Sequence, residues 1–316
     1  MEDEYAFEAP IIELEKEIEA LEIYADKPDT KDKMERLKRK LIRYRKEIYS
    51  NLSPWQTVLA ARHPKRPYTL DYLGSIFDDF VEVHGDRRFA DDPAIVTGMA
   101  ILEGKPVVIV GHQKGRTTKE KLYRNFGSAH PEGYRKALRV MRMAEKFHKP
   151  IISFIDTPGA YPGIGAEERG QAEAIAYNLR EIYKLKTPII VCIIGEGGSG
   201  GALALGIGDS ILMMEFSIYS VISPEGCAAI LWRDQEKKKE SAENLHLTAK
   251  DWKNFDLIDE IVPEPMGCAH SDPEEAGRIL KSYLIKELDR LVQIPINELL
   301  ELRYKKFRKM GVVQEL

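Results

Sequence analysis

Five of the seven residues in Gly195-Glu196-Gly197-Gly198-Ser199-Gly200-Gly201 are glycine, and the stretch lies between the apolar run Ile189-Ile190-Val191-Cys192-Ile193-Ile194 and Ala202-Leu203-Ala204-Leu205. Glycine removes the Cβ atoms that would hold a ligand away from the backbone and permits positive φ, while a helix beginning there leaves its first N–H groups unpaired. An oxyanion or a phosphate is the natural occupant of such a loop. A second stretch, Ile155-Asp156-Thr157-Pro158-Gly159-Ala160-Tyr161-Pro162-Gly163-Ile164-Gly165, also follows an apolar strand pattern and precedes a helical one. Pro158 and Pro162 stiffen it, which suits a fixed wall better than a mobile lid. Ligands of parallel α/β sheets collect beyond the C-terminal ends of the strands, so both loops are expected to line one crevice.

Competing chemistries fit less well. The Gly195 stretch matches G-x-G-x-x-G, with Glu215 about where a ribose-binding acid would stand, but it does not open the first βα unit of the domain. Its helix also stops at Gly206-Ile207-Gly208-Asp209. A Walker A loop needs a lysine where Gly201 stands. Glycines placed purely for close packing are a third reading. The seven histidines include no i, i+4 pair on a helix, and Ser199 belongs to no nucleophile elbow that a nearby His and acid complete. Chemistry that needs only backbone stabilisation of developing oxyanions survives, notably acyl-CoA enolate chemistry.

The surrounding pattern is that of a globular α/β protein. The 316 residues are 43% hydrophobic, enough for a sizeable core, and the formal charge of −4 gives no electrostatic footprint for nucleic acid. The basic run Arg303-Tyr304-Lys305-Lys306-Phe307-Arg308-Lys309 reads as a solvated helix end. Cys192, Cys227 and Cys268 lie far apart, without zinc spacing or a disulfide framework, so a reducing cytoplasm is expected. No apolar run approaches the ~20 residues of a membrane span, and Met1-Glu2-Asp3-Glu4 is acidic where a signal peptide would be basic. The chain is therefore expected to be soluble, with no membrane contact.

Two apolar stripes, Ile11, Leu14, Ile18, Leu21 and Met34, Leu37, Leu41, Tyr44, Ile48, separated by Asp26-Lys27-Pro28-Asp29-Thr30, predict a helical hairpin within residues 1–60. Residues 61–316 are expected to form the main domain. Arg62 to Asp92 reads as irregular around one short helix near Leu70–Phe80. Beyond it, Ile95–Leu102 and Pro106–Val110 predict a β-hairpin around Glu103-Gly104-Lys105. Helices over 132–147 and 167–183 then alternate with strands over 151–155, 189–194 and 211–214, which implies βα units with both sheet faces covered. Asp272-Pro273 is a strong helix start before Glu274–Leu291, and a last helix covers 298–310.

Ile155-Asp-Thr-Pro-Gly-Ala-Tyr-Pro-Gly163, Gly165-Ala-Glu-Glu-Arg-Gly-Gln171, Gly195-Glu-Gly-Gly-Ser-Gly-Gly-Ala-Leu-Ala204 and Tyr219-Ser-Val-Ile-Ser-Pro-Glu-Gly-Cys-Ala228 together resemble the carboxyltransferase alpha subunits of bacterial-type acetyl-CoA carboxylase. The likeness continues through His63-Pro64, Arg66–Asp71, Gly111–Arg116 and Pro131–Leu138, so it covers nearly the whole chain. It implies an α/β, crotonase-type (ClpP/crotonase) fold of stacked ββα units with an N-terminal helical hairpin. The implied reaction is transfer of a carboxyl group from carboxybiotin, on a biotin carboxyl carrier protein, to acetyl-CoA, giving malonyl-CoA for fatty acid synthesis. The implied partner is a beta subunit in an α2β2 assembly, with biotin carboxylase in the full complex. By the same resemblance zinc belongs to the beta partner, and this chain carries no covalent cofactor or metal.

The resemblance also suggests residue roles. The N–H groups of Gly200 and Gly201 would hold an oxyanion, that of the biotin ureido group, whose freed nitrogen can then act as the base. Gly197 and Gly198 would let the ring approach. Gly159, Ala160, Tyr161 and Gly163 would wall the biotin pocket, Tyr161 serving equally well as a core aromatic. Lys114 and Arg116 follow a strand where a coenzyme A phosphate could be met, the alternative being a solvated basic turn. A related acyl-CoA decarboxylase or hydratase, a dinucleotide-binding module and a non-catalytic scaffold remain as alternative readings.

Overall fold

The computed structural model describes residues 5–23 and 28–311. Eight strands make one sheet: β1 (Asp78–Glu82), β2 (Ile95–Leu102), β3 (Lys105–His112), β4 (Ile151–Thr157), β5 (Ile189–Gly198), β6 (Ser210–Met214), β7 (Ile218–Ser220) and β8 (Glu260–Val262). Their order is β1-β2-β3-β4-β5-β6-β8, with β7 paired to β5. The first two pairings are antiparallel and the others parallel. The β2–β3 hairpin closes with Leu102 opposite Lys105, leaving Glu103 and Gly104 as a two-residue loop. Both have positive φ, 47° and 74°, as a type I′ turn requires.

Strands apolar on both faces divide the core. Ile189, Val191 and Ile193 join Ile151 and Ile155 beneath helices Pro131–Lys146 and Gln171–Ile182. Ile190, Cys192 and Ile194 join Ile152 and Phe154 against helices Thr69–Ile76 and Pro273–Leu291. This two-sided burial is why the strands read as continuous apolar runs rather than alternations. The last of these helices starts as its sequence predicts, with the Asp272 side chain accepting the Glu275 N–H at 3.0 Å.

Helices Ala9–Glu22 and Pro28–Tyr49 pack together, with Arg45 paired to Glu15 at 2.6 Å and Lys33 to Glu17 at 2.9 Å. Of the turn expected between them, Asp26 and Lys27 lie outside the described residues, and Pro28 already belongs to the second helix. The boundary expected at residue 60 falls inside helix Pro54–Ala61, whose Trp55, Val58 and Leu59 pack with Ile218 and Leu247.

Three local readings need correction. The short helix expected near Leu70–Phe80 ends at Ile76, and β1, which begins at Asp78, pairs with β2 despite its short, polar sequence. The single helix expected over 167–183 is two, Ile164–Glu168 and Gln171–Ile182, broken where Gly170 takes φ 82°. The basic C-terminal run is not simply a solvated helix end. Arg303, in helix Ile296–Lys309, is 1% exposed, bonds Asp209 at 2.7 and 2.8 Å, and donates to the carbonyls of Tyr183, Leu185 and Thr187.

Candidate active site

The two glycine stretches meet at the C-terminal ends of β4 and β5. Strand β5 is ten residues long, so β6 lines its first half, and β7 pairs with Glu196, Gly197 and Gly198 beyond it. Most of the supposed Gly195 loop is therefore strand. It turns at Ser199, φ 47°, into a five-residue helix, Ser199–Leu203. A single turn offers unpaired first-turn N–H groups, those of Gly200 and Gly201 among them, but little macrodipole.

The glycines have different reasons to be there. A Cβ on Gly195 would lie 2.5 Å from Asp156 Oδ1, and one on Gly198 would lie 2.2 Å from the Pro158 carbonyl oxygen. A Cβ on Gly201 would meet Ala160 N and the Gly159 carbonyl carbon at 2.6 Å, and one on Gly197 would meet the Tyr219 ring at 2.8 Å. These four let the two strand ends and Tyr219 close on one another. Gly200 differs: its Cβ would find only Ile175, at 3.5 Å. Gly159 would meet nothing within 4 Å, yet its φ of 149° demands glycine. Open space thus lies at Gly159 and Gly200.

Tyr161 stacks on His130 with ring centroids 4.1 Å apart, and its ring lies where a Gly163 Cβ would stand. Its backbone is fixed from both sides: its N–H donates to Ala129 O at 3.0 Å, and its carbonyl accepts from Gln171 Nε2 at 2.9 Å. The wall formed by Gly159, Ala160, Tyr161 and Gly163 is rigid, as its two prolines suggest. Beside Ser199 opens an apolar cavity of about 320 Å³ lined by Leu203, Tyr219, Val221, Trp252 and Phe255. Tyr219 and Trp252 stack within it, centroids 4.3 Å apart.

Beneath the crevice runs a chain of charges. Lys114 Nζ lies 2.7 Å from Asp156 and 3.5 Å from Glu196, Arg62 bonds Glu196 at 2.6 Å, and the same guanidinium reaches Glu225 at 2.6 Å. Burial pushes the Glu196 carboxyl up, but Lys114 and Arg62 outweigh it and hold it below its ordinary value. Burial likewise pushes the Lys114 ammonium down, and Asp156 and Glu196 more than reverse this. Lys114 is thus no solvated basic turn, and its charge is already engaged by two carboxylates. Arg116 keeps a half-exposed guanidinium, stacked on Tyr68 and bonded to Asp71 at 2.5 Å.

Sequence reasoning missed Arg62, Asp156, Glu196 and Glu225 as a set, because their spacing along the chain follows no motif. Ser223 is an N-cap whose hydroxyl accepts the Gly226 N–H at 3.1 Å. Glu215 accepts the Glu264 N–H at 3.3 Å, a structural place instead of a ribose-binding one. Among the described residues one group, Glu8, His63 and His270, brings metal-ligand atoms within 4.8 Å of one another. The Lys65 N–H donates to His63 Nδ1 at 3.2 Å, and Tyr49 donates to Glu8 at 2.6 Å.

The sheet, covered by helices on both faces, has the crotonase-type fold of its structural neighbours. Solved structures share it: transcarboxylase 12S (TM-score 0.59, 18% identity, covering 74% of this chain and 44% of that one) and a Pseudomonas malonate decarboxylase hetero-tetramer (TM-score 0.56, 16% identity, 68% and 86%). Residues 4–311 match the family model described as acetyl co-enzyme A carboxylase carboxyltransferase-like, and the chain belongs to that family. Its relatives include the acetyl-coenzyme A carboxylase carboxyl transferase subunit alpha of Geobacter metallireducens, 60% identical over 306 residues, 96% of each chain. That of Xanthomonas axonopodis is 54% identical over 310 residues, 98% of this chain and 97% of the other. Among the described residues no helix is long and apolar enough to cross a membrane.

Proposed function

We propose that this chain is the alpha half of a two-chain carboxyltransferase that moves a carboxyl group from carboxybiotin, on a biotin carboxyl carrier protein, to acetyl-CoA to form malonyl-CoA in fatty acid synthesis. One observation carries the reading: family membership spans the chain. The partners proposed are a beta subunit, in an α2β2 assembly that holds the zinc, and the biotin carboxylase of the full complex. The proposed location is the cytoplasm. No covalent cofactor is proposed on this chain.

Bound at the crevice, carboxybiotin would supply the carboxyl group. The residues present fit it: Gly159 and Gly200 leave open space, Tyr161 offers a fixed wall, and the apolar cavity beside Ser199 accepts a ring or alkyl portion. The N–H groups of Gly200 and Gly201 would donate to an oxygen on which charge develops, each worth about 2.7–4 kcal/mol in comparable sites. Gly197 and Gly198 would act by closing the strand ends that set this geometry. Asp156 and Glu196 are occupied by Lys114 and Arg62, which favours a base supplied from outside this chain. Arg116, half-exposed near the crevice, is the cation proposed for a coenzyme A phosphate.

The test is malonyl-CoA formation from acetyl-CoA and carboxylated carrier, by this chain with and without a co-expressed beta subunit. Activity is expected only with both chains and should fall roughly a hundredfold with Gly200→Val, whose branched side chain would fill the open space beside the Gly200 and Gly201 N–H groups and keep an oxygen from reaching them. Because a Gly200 Cβ meets only Ile175, the variant should stay folded, and Tm checks this. A folded wild-type pair without activity would sink the reading.

A further inference from the structure

Helices Pro131–Lys146 and Gln171–Ile182, together with the loop after β1, enclose a pocket of about 270 Å³ with five arginines in its wall: Arg87, Arg88, Arg135, Arg139 and Arg142. Two are matched by carboxylates. Arg135 Nε bonds Asp86 at 2.8 Å, and Arg142 Nη2 bonds Glu181 at 2.8 Å. Among the described residues, no carboxylate lies within ion-pair distance of Arg87, Arg88 or Arg139. Arg87 Nη1 and Arg139 Nη2 instead converge on one acceptor, the His84 carbonyl, at 2.9 and 3.0 Å, and Arg139 Nε takes the Gly85 carbonyl at 3.0 Å. Partial burial holds the Arg139 guanidinium below its ordinary value, the Arg87 charge adds to this, and Asp86 and Asp91 do not restore it.

The loop is built to hold these charges together. Asp86 Oδ1 accepts the N–H groups of Arg88, Phe89 and Ala90 at 2.7–3.2 Å, which fixes a turn in which Gly85 and Arg87 both take positive φ, 76° and 64°. A non-glycine residue there costs about 1–2 kcal/mol, and gathering like charges adds to that. The Arg87 and Arg139 guanidiniums brace this turn through its carbonyls, whereas among the described residues that of Arg88 makes no hydrogen bond or ion pair to another side chain. Guanidinium forks match the oxygens of a phosphate.

We propose that this pocket binds a phosphate group, held by Arg87, Arg88 and Arg139. Exposed Glu173 lies on the opposite wall, so a terminal phosphate on a neutral or hydrogen-bond-donating body fits better than a ligand anionic along its length. Two sources share this chemistry: free inorganic phosphates and the 3′-phosphate of coenzyme A. The site lies apart from the glycine crevice, and its occupancy does not depend on the carboxyltransferase reading.

The full chain is titrated calorimetrically with inorganic pyrophosphate, coenzyme A and dephospho-coenzyme A at ionic strength matched with sodium chloride. Pyrophosphate binding that weakens about tenfold or more in Arg88→Glu supports the site. Arg88 is exposed, so that variant folds, and Arg139→Ala, checked by Tm, is the second probe. Coenzyme A bound more tightly than its dephospho form, with the preference lost in Arg88→Glu, assigns the phosphate to the coenzyme, whereas equal binding of the two assigns it to free phosphates. Pyrophosphate that fails to bind at millimolar concentration, or binds both variants as it binds the wild type, overturns the proposal.

Discussion

A Cβ at Gly201 would press on the backbone of Gly159 and Ala160 at 2.6 Å, whereas one at Gly200 would make ordinary contact with Ile175 at 3.5 Å. Adjacent glycines therefore differ in what they tolerate. Gly201→Ala must displace a backbone that cannot turn aside like a side chain, at roughly 1–3 kcal/mol, the cost of overpacking. Gly200→Ala should leave stability unchanged or raise it by about 0.5–1 kcal/mol, because alanine loses less entropy in a helix. Urea midpoints of the two variants check this, and equal losses would refute it. The glycine run made the crevice legible in the sequence, but composition alone cannot separate glycine kept for packing from glycine kept for open space. Lys114 was illegible for another reason. Its partners Asp156 and Glu196 lie on β4 and β5, and only the parallel sheet brings them under the β3 end.

At the scale of elements, strands β2 to β6 and the long helices were readable, because apolar runs of strand length and helix starts such as Asp272-Pro273 are local signals. Strand β1 was not: it is short and polar, and pairing with β2 defines it where hydrophobic pattern does not. The last helix shows how a basic surface pattern can conceal an anchor. Arg303 is buried within it and ties the helix to Asp209, just ahead of β6, and to the chain entering β5. Arg303→Met would leave Asp209 buried without its cation, a loss of about 3–5 kcal/mol. Arg303→Met with Asp209→Asn should recover part of that loss, since no uncompensated charge remains. Denaturant unfolding of the single and double variants measures both, and a single variant as stable as wild type would show that the pair does not anchor the helix.

Across the whole molecule, three histidines, His112 buried and His63 and His270 half-buried, occupy seams between its parts. His63 and His270 stack, centroids 3.7 Å apart, where Glu8 and Tyr49 bring the N-terminal helices onto the main body, and Tyr49 donates to Glu8 at 2.6 Å. His112 ends β3 and is fully buried. Burial, with added repulsion from neighbouring cations, lowers the three to about 4 (His63), about 2 (His270) and about 3 (His112). An unfolded histidine titrates near 6.5, so below that pH the unfolded chain takes up protons that the folded one refuses. Stability is therefore fully present above about pH 6.5 and declines as pH falls toward 4. Glu8 works in the opposite sense: burial raises its carboxyl, which favours the folded state at low pH and offsets part of the slope. The hairpin should loosen first, because two of the three histidines and Glu8 lie at its seam. Urea midpoints from pH 7.5 to 4.5 at constant ionic strength should fall, with a shallower slope in His63→Gln and hydrogen exchange accelerating earliest in helices Ala9–Glu22 and Pro28–Tyr49. A midpoint that stays flat over that range would show that these rings are accommodated in their charged form, and that the seam does not act as an acid-sensitive joint.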